Sequence, residues 1–530
     1  MHLDRDLQAI QEVRDLCARA KAAQQEFKEF SQEEVDRVVA AMAEIGFRDS
    51  ARLAQMAVRE TGYGNVPDKT RKNQFGTRDV YDSIKDLRTV GIVSEDRKRK
   101  ILQIAEPMGV VAAIIPTTNP TSTAMFKILI SLKARNGVVI SPHPRAKNCI
   151  IAAVNLLSEA AFKAGAPEGL IGVIANPTLQ ATNELMRSRD TDVILATGGT
   201  GLVRAAYTAG KPAYGVGPGN VPVYIDRSAN YKKAVQDVVA GKTFDYGTLC
   251  SSEQALIVDA PVKSRVKEAL MQEGAYFMCP EEIEKLGQVL VTSAFLINPE
   301  MVGKAPEVLA GQAGFTIPEK TRLLVAELQG VGKEYPLSAE KLSPTLVFYQ
   351  ASGWEDGIRR AVEVLNFGGR GHTAAIHARD DAVIRQCGLS VPAYRVVVNS
   401  PASIGSVGYT NNLMASMTLG CGSFGRNITS DNISAHHLIN IKRVAYETRP
   451  YSEPKTEVTW QPQIRHDRQS SEAPYTKALS SEVSRKGSGI QDKPAVSELS
   501  ARAADKSYGS SDMSAADVDN VVEEFLRNRS

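Results

Sequence analysis

Short β-branched runs alternate with longer helical runs between residues 110 and 225. The β-branched runs predict strands at 110–115, 138–140, 170–174, 193–196 and 221–225. The runs between them predict helices at 122–134, 146–164, 179–187 and 202–209. This alternation predicts an α/β fold, in which crossover helices connect the strands of a parallel sheet.

Distinctive loops follow three of these predicted strands. They read Pro-Thr-Thr-Asn-Pro at 116–120, Ser-Pro-His-Pro at 141–144 and Thr-Gly-Gly-Thr-Gly at 197–201. Ligands of open parallel sheets bind at the carboxyl ends of the strands. The glycines of the third loop would let a phosphate approach the start of a helix, but their spacing is not GxGxxG. A plain turn into a helix explains this loop equally well.

One cysteine lies in the segment 242–258, where a glycine-containing turn gives way to an apolar strand. At such a junction a thiol can be partly exposed while neighbouring backbone N–H groups face a bound carbonyl oxygen. Cys250 is therefore a candidate nucleophile. The alternative is a buried, inert thiol, which is the common state of an isolated cysteine.

Composition excludes several classes of protein. Six scattered cysteines without a CxxC pair argue against a disulfide framework and against a zinc site. The formal net charge is only +3, and no basic stripe with interleaved aromatic residues supports nucleic-acid binding. The apolar runs are too short to span a bilayer, and the N-terminus does not resemble a signal peptide. We expect a cytoplasmic protein without metal, nucleic-acid or membrane partners.

Changes in pattern along the chain predict its domain organisation. Residues 1–240 are expected to form a first domain, with a strand excursion at 92–106. Residues 241–420 are expected to form a second α/β domain that holds Cys250, followed by a returning segment at 421–446. Ligands would bind in the cleft between the two domains.

The C-terminal part of the chain has a different character. The Ser-rich stretch 447–513 is predicted to be a disordered linker, because it cannot bury enough apolar area to offset its ordering entropy. Residues 514–530 then predict a short amphipathic helix, whose apolar stripe consists of Val518, Val521, Val522, Phe525 and Leu526. Such a helix needs a partner surface. The long tether favours a surface outside the catalytic core, and docking on that core is the alternative.

Several motifs in the same order resemble those of the aldehyde dehydrogenase superfamily, specifically its coenzyme-A-acylating branch. They are Glu-Pro-Met-Gly-Val at 106–110, Ser-Pro-His-Pro at 141–144, Gly-Pro-Gly-Asn at 217–220, Cys-Ser-Ser-Glu-Gln at 250–254, Glu-Lys-Leu-Ser-Pro at 340–344 and Leu-Gly-Cys-Gly-Ser at 419–423. The resemblance implies an aldehyde dehydrogenase-like fold. Its parts would be a Rossmann-like domain that binds NAD and CoA, an α/β catalytic domain and a small oligomerisation strand region.

The resemblance also implies roles for individual residues. Cys250 would add to an aldehyde as the thiolate, and the Asn119 amide and the Cys250 backbone N–H would stabilise the oxyanion. His372 would position groups or handle protons, and Glu340 would bind the nicotinamide ribose. The other residues expected at the cofactor are Thr117, Thr118, Ser141, Pro142, His143, Thr197, Gly198, Gly199, Gly201, Gly217 and Gly219. Asn119 as a turn residue and His143 as a surface histidine are the alternatives.

One departure from the hydrolytic members of that superfamily is informative. They carry a glutamate before a Gly-Gly pair that activates water, whereas residues 213–220 contain no acid. A thiol needs less activation than water, so CoA is the implied acyl acceptor. The implied reaction converts a short aliphatic aldehyde, such as acetaldehyde or propionaldehyde, to acyl-CoA with NAD. The alternatives are another acylating substrate such as sulfoacetaldehyde, a hydrolytic enzyme, or a non-catalytic scaffold.

The resemblance extends to partners. It implies a dimer or tetramer assembled through exposed strands, for which residues 100–104 and 438–444 are candidates. The helix at 514–530 is similar to the encapsulation peptides that recruit enzymes into bacterial microcompartments. A shell protein is therefore the implied partner of this helix. The implied location is inside a microcompartment of the cytoplasm, where a toxic aldehyde would be confined.

Overall fold

The computed structural model describes residues 4–292 and 295–451. Its helices are α1 (Arg5–Phe27), α2 (Gln32–Arg48), α3 (Ser50–Thr61), α4 (Val66–Gln74), α5 (Val80–Ile84), α6 (Pro120–Lys133), α7 (Lys147–Lys163), α8 (Leu179–Arg187), α9 (Thr200–Tyr207), α10 (Tyr231–Thr243), α11 (Lys263–Gln272), α12 (Pro280–Leu290), α13 (Pro306–Ala313), α14 (Trp354–Phe367), α15 (Asp381–Ser390) and α16 (Ala402–Ser406). The predicted helix at 514–530, and the predicted linker beyond residue 451, lie outside the described residues.

The strands form three sheets. In chain order they are β1 (Gly91–Asp96), β2 (Ile101–Pro107), β3 (Val110–Ile114), β4 (Gly137–Ser141), β5 (Ile171–Val173), β6 (Val193–Thr197), β7 (Ala213–Val216), β8 (Val221–Ile225), β9 (Glu253–Asp259), β10 (Ala275–Phe277), β11 (Leu323–Glu327), β12 (Thr345–Ala351), β13 (Ala374–His377), β14 (Val396–Val398) and β15 (Ile439–Ala445).

The first sheet is parallel and has the order β5-β4-β3-β6-β7. From β3 the chain adds β4 and β5 on one side, and it then crosses to the other side of β3 to add β6 and β7. The strand order therefore reverses between β3 and β6. Helices cover both faces, which explains why the strands read as continuous apolar runs. This is the predicted Rossmann-like arrangement, and β7 is the one strand of this sheet that the sequence pattern did not predict.

Helices near the N-terminus cover one face of this sheet. Helix α2 begins at a capping box, in which Ser31 Oγ accepts from the Glu34 N–H and the Glu34 carboxylate accepts from the Ser31 N–H. Its apolar residues Val35, Val38 and Met42 are buried in the core that the sheet shares with α6 and α7. Helix α4 packs against α6 and thereby approaches the loop after β3.

The second sheet has seven parallel strands in the order β10-β11-β12-β9-β8-β13-β14. It contains β8, which the sequence analysis placed in the first domain by setting a boundary at residue 240. β8 pairs with β9, the next strand, and with the distant β13, so the chain passes from the first sheet to the second between Val216 and Val221. A local pattern identifies a strand but not its distant partners, which explains the difference.

The third sheet is antiparallel and has the order β1-β2-β15. It contains the predicted excursion at 92–106 and the predicted returning segment, which pairs along the whole of β2 from Ile439 opposite Pro107 to Ala445 opposite Ile101. Within the excursion, Glu95 and Asp96 belong to β1, and the next strand starts at Ile101. Both β1 and β15 are largely exposed edge strands.

Candidate active site

Cys250 lies between the 3₁₀ turn Phe244–Gly247 and β9, the central strand of the second sheet. As a residue Cys250 is half-buried, whereas the alternative interpretation expects a buried one. Asp245 and Tyr246 in the turn have φ angles of 48° and 52°, in the left-handed region that non-glycine residues rarely adopt. Such backbone strain is concentrated at functional sites.

His372 is the nearest hydrogen-bonding partner of the thiol. It lies in the loop between α14 and β13, and its Nε2 is 3.3 Å from Cys250 Sγ. The other ring nitrogen, Nδ1, is 3.0 Å from Thr373 Oγ1. This brings together the two residues that the resemblance placed near each other. The imidazole is positioned to accept the thiol proton when Sγ attacks a carbonyl carbon.

The resting pair is neutral. Burial raises the pKa of the Cys250 thiol to about 12, and the Glu340 carboxylate acts in the same direction. Burial lowers the pKa of His372 to about 3, and the nearby Arg395 lowers it further. Both shifts favour the uncharged thiol and the uncharged imidazole in the substrate-free site.

This protonation state predicts the pH dependence of alkylation. In the cofactor-free enzyme the rate at which iodoacetamide modifies Cys250 should rise about tenfold per pH unit between roughly pH 6 and pH 9, because the thiolate fraction is small throughout. Mass spectrometry of the peptide that contains Cys250 measures this rate, and the Cys250→Ala variant identifies the signal. A plateau near neutral pH would instead mean that a thiolate already exists in the resting site.

Gly219 lies between Cys250 and Glu340. Its N–H donates to the Glu340 carboxylate at 3.0 Å. A Cβ atom at Gly219 would lie 2.1 Å from the Cys250 carbonyl oxygen, so only glycine fits at this close approach. Burial raises the pKa of Glu340 to about 7, although the Gly219 N–H and Lys242 oppose the shift. The nucleophile candidate Cys250 is thus in contact with two residues that were expected at the cofactor, Gly219 and, through it, Glu340.

Asn119 follows β3 and immediately precedes α6, but its side chain does not cap that helix. Its Oδ1 accepts from Lys72 Nζ at 2.5 Å, and its Nδ2 donates to Thr118 Oγ1 at 3.1 Å. Within the described residues the second Nδ2 hydrogen has no protein acceptor. An N–H that is nearly buried and unused by the protein is available to a ligand oxygen.

The space at the ends of β3 and β6 is the candidate crevice for a dinucleotide cofactor. Thr197 ends β6, and α9 starts at Thr200 after Gly199, without a side-chain cap. Added Cβ atoms at Gly199 and Gly201 would meet nothing within 4 Å, so the N–H groups of this helix start are accessible to a phosphate. The crevice also lies where the strand order reverses, which is the usual ligand position in such sheets.

The other predicted cofactor residues lie along the same edge of the first sheet. Ser141 ends β4, and its hydroxyl is 2.9 Å from Thr182 Oγ1, while Pro142 is buried beside it. His143 is exposed, and its Nδ1 accepts from the Arg145 N–H at 3.1 Å, which favours a local turn role over a cofactor contact. Four more of the predicted residues are partly exposed and follow the ends of β3, β6 and β7. They are Thr117, Thr118, Gly198 and Gly217.

A buried ion cluster beside Asn119 was missed by the sequence analysis. Asp245 Oδ2 accepts from Lys69 Nζ at 2.9 Å and from Lys72 Nζ, and all three side chains are almost completely buried. Both lysines lie on α4, three residues apart. In the sequence the two lysines look like the solvated charged face of a short helix. Their helical spacing indicates that they share a face, but it does not indicate that the face is buried.

Arg395 is a second missed residue. Its guanidinium is buried and donates to the carbonyl oxygens of His372 at 2.7 Å and Gly420 at 2.6 Å. It therefore fixes the backbone of the His372 loop against the segment that carries Cys421. The sequence offered no sign of this role, because an arginine before a short strand is usually solvent-exposed.

Asp431, His436 and His437 form a separate cluster whose potential ligand atoms lie within 4.8 Å of one another. Hydrogen bonding accounts for its geometry. His437 Nδ1 accepts from the Ser434 N–H at 3.0 Å, which leaves the ring proton on Nε2, 3.2 Å from Asp431 Oδ2. A protonated Nε2 cannot bind a metal ion, so this cluster does not lead us to revise the expectation of a metal-free protein.

Fold and site together define the class of protein. Two parallel sheets with covering helices accompany a cysteine–histidine pair, and the sequence profile of the aldehyde dehydrogenase family matches residues 6–278. The chain belongs to the aldehyde dehydrogenase family. Among the described residues no helix is both long and apolar enough to cross a bilayer.

Within this family the chain is similar to CoA-linked members. It is 43% identical over 441 residues to a bifunctional aldehyde-alcohol dehydrogenase of Escherichia coli, covering 82% of this chain but 49% of that protein. The chain thus spans about half the length of that relative. A crystal structure of an acetylating aldehyde dehydrogenase from Geobacillus thermoglucosidasius has 54% identity and a TM-score of 0.84, covering 86% of this chain and 100% of the other.

A further solved structure is a propionaldehyde dehydrogenase from the fucose utilisation bacterial microcompartment of Clostridium phytofermentans. It has 29% identity and a TM-score of 0.75, and the match covers 82% of this chain and 97% of that one. The shared fold therefore includes a protein whose setting is a microcompartment.

Proposed function

We propose that this chain is a CoA-acylating aldehyde dehydrogenase that converts a short aliphatic aldehyde, CoA and NAD⁺ to acyl-CoA, NADH and a proton. The observation that carries the proposal is the contact of 3.3 Å between Cys250 Sγ and His372 Nε2, beside a segment 213–220 that contains no acid. Acetaldehyde and propionaldehyde are the candidate substrates. Similarity to an acetylating enzyme supports the choice of CoA as acceptor.

The first step is addition of the thiol to the aldehyde. Cys250 Sγ forms a bond to the carbonyl carbon, and His372 Nε2 takes the thiol proton. The carbonyl oxygen becomes an oxyanion, which accepts from the free Asn119 Nδ2–H and from the Cys250 backbone N–H. Both donors are fixed by the fold before substrate enters, so stabilisation of the charge needs no reorganisation.

The second step forms a thioester on Cys250. The segment 197–201 and Glu340 would hold NAD, which would supply the hydride acceptor for this oxidation. The thiol of CoA then attacks the thioester carbon, and acyl-CoA leaves as the bond from that carbon to Cys250 Sγ breaks. His372 returns the proton it took to Cys250, and the proton of the CoA thiol is released. Hydrolysis would need a general base for water, which the segment 213–220 does not provide.

Measurement of NADH formation from propionaldehyde with and without CoA tests the proposal. We expect steady turnover only when CoA is present, with propionyl-CoA as the product. Without CoA we expect at most one NADH per active site, because the thioester persists. Steady turnover without CoA would identify a hydrolytic enzyme, and no turnover in either condition would identify a scaffold. The same assay with NADP tests the preference for NAD.

We further propose that the chain is a homodimer or tetramer joined through the edge of the third sheet. Strand β15 is mostly exposed and lies at an edge of the third sheet, where a second copy of the chain can pair with it. The other candidate segment, 100–104, was predicted wrongly, because it lies mostly in β2, the middle strand, which is already paired with β1 and β15. A monomeric mass in light scattering at micromolar concentration would contradict this assembly.

Finally, we propose that residues 514–530 recruit the enzyme into a bacterial microcompartment by binding a shell protein. Their amphipathic pattern and the Ser-rich tether before them support this, as does the similarity to a microcompartment enzyme. Deletion of 514–530 should leave activity in solution nearly unchanged and abolish co-assembly with shell proteins. Fusion of 514–530 to a fluorescent protein should confer co-assembly. Normal packaging of the truncated enzyme would contradict the proposal.

A further inference from the structure

Lys72 connects Asn119 to the loop of the nucleophile. Its ammonium group donates to Asn119 Oδ1 at 2.5 Å, to Thr248 Oγ1 at 3.0 Å, and to Asp245 Oδ2. Thr248 lies two residues before Cys250, so one buried group contacts both sides of the site. An ammonium has three N–H donors, and here all three have protein acceptors. Lys72 therefore has no donor left for a substrate.

The contact to Asn119 also fixes which way the amide faces. A carboxamide presents an acceptor on one side and donors on the other, and a rotation of 180° about its terminal bond exchanges them. With Oδ1 held by the ammonium, Nδ2 must face the opposite side. A rotated amide would present an oxygen to the oxyanion and repel it.

We propose that Lys72 is a positioning residue that holds the Asn119 carboxamide with Nδ2 directed at the reacting carbonyl oxygen. The inference rests on the proposed oxyanion role of Asn119. It extends that role by assigning the orientation of the donor to a lysine on another helix.

The surroundings of Lys72 keep it in place. Asp245 is completely buried and also accepts from Lys69 at 2.9 Å, from the Asn65 N–H at 2.9 Å and from Thr248 Oγ1 at 2.5 Å. Burial alone would raise the pKa of Asp245, but Lys72 and Lys69 outweigh it and hold that pKa below its usual value. The carboxylate is thus charged and anchors the ammonium.

Lys69 provides a matched control. It lies on the same helix and contacts the same Asp245 oxygen, but its second contact is the Thr118 carbonyl oxygen at 3.0 Å rather than Asn119. Loss of either lysine removes a buried ion pair with Asp245, so both variants should lose stability through the same cause. Only loss of Lys72 frees the amide of Asn119.

The test is a double-mutant cycle of Lys72→Met and Asn119→Ala, with Lys69→Met as control. We expect Lys72→Met to lower kcat about tenfold or more with the KM for propionaldehyde nearly unchanged, and Lys69→Met to lower it much less. In the Asn119→Ala background Lys72→Met should cause no further loss, because the amide is already gone. Lys72→Gln, which keeps a donor, should recover part of kcat, and it replaces Lys72→Met in the cycle if the latter does not fold.

The outcomes separate the inference from the function on which it rests. Equal losses in both backgrounds, or equal losses for Lys69→Met and Lys72→Met, would mean that Lys72 acts through general stability and would overturn the inference. An unchanged kcat in Asn119→Ala alone would instead overturn the proposed oxyanion role. Unchanged kcat in Lys72→Met, with Asn119→Ala impaired, would show that Asn119 orients without Lys72.

Discussion

Replacement of Cys250 with alanine is expected to abolish turnover, with kcat reduced by about a thousandfold or more. The covalent step has no substitute, because the variant lacks the atom that bonds to the aldehyde. Among the described residues the thiol makes one side-chain hydrogen bond, to His372, so the fold and NAD binding should be retained. Steady-state NADH formation and fluorescence titration with NADH measure the two properties.

A matched control uses another cysteine of the chain. Cys279 is exposed and lies directly before α12. It follows β10, which is at one edge of the second sheet, whereas β13 is near the opposite edge. Cys279→Ala should keep full activity. Retention of activity in Cys250→Ala, or its loss in Cys279→Ala, would contradict the assignment of the nucleophile.

Loss of the Asn119 donor should have the second largest effect. Asn119→Ala is expected to lower kcat by roughly a hundredfold, because one oxyanion donor is removed, while the KM for aldehyde changes little. Asn119→Asp tests the same point without a cavity. Its carboxylate has nearly the same shape and can pair with Lys72, so the fold should be kept, yet it has no N–H to donate.

Steady-state kinetics of the two variants, with thermal melting to establish folding, check this prediction. We expect both variants to have a lower kcat and a melting temperature close to that of the unaltered enzyme. A change confined to KM would mean that Asn119 positions substrate and does not stabilise charge. Full activity of Asn119→Asp would contradict the role of its N–H altogether.

Much of the fold was predictable because its signals are local. The strands of a sheet covered on both faces are short apolar runs, and 221–225 and 179–187 were predicted with the bounds of β8 and α8. The cysteine at the junction of a turn and a strand could also be singled out from residue types alone. The resemblance added the partners of that cysteine, such as His372, which is distant in sequence.

The parts that could not be predicted depend on distant contacts. β8 pairs with the distant β13 as well as with β9, and no local pattern encodes this choice of sheet. Lys72 looks like an exposed helix residue, but it is buried because Asp245, far along the chain, supplies a partner. A buried charge of this kind is visible only once both partners are placed, since each alone would favour solvent.

The central claim is a thioester on Cys250 that CoA, not water, resolves. Mass spectrometry of the enzyme after mixing with propionaldehyde and NAD, without CoA, tests it most directly, with Cys250→Ala as the blank. We predict a propionyl group on the peptide that contains Cys250, and its complete transfer to form propionyl-CoA once CoA is added. Steady release of propionate without an acylated Cys250 would contradict the account.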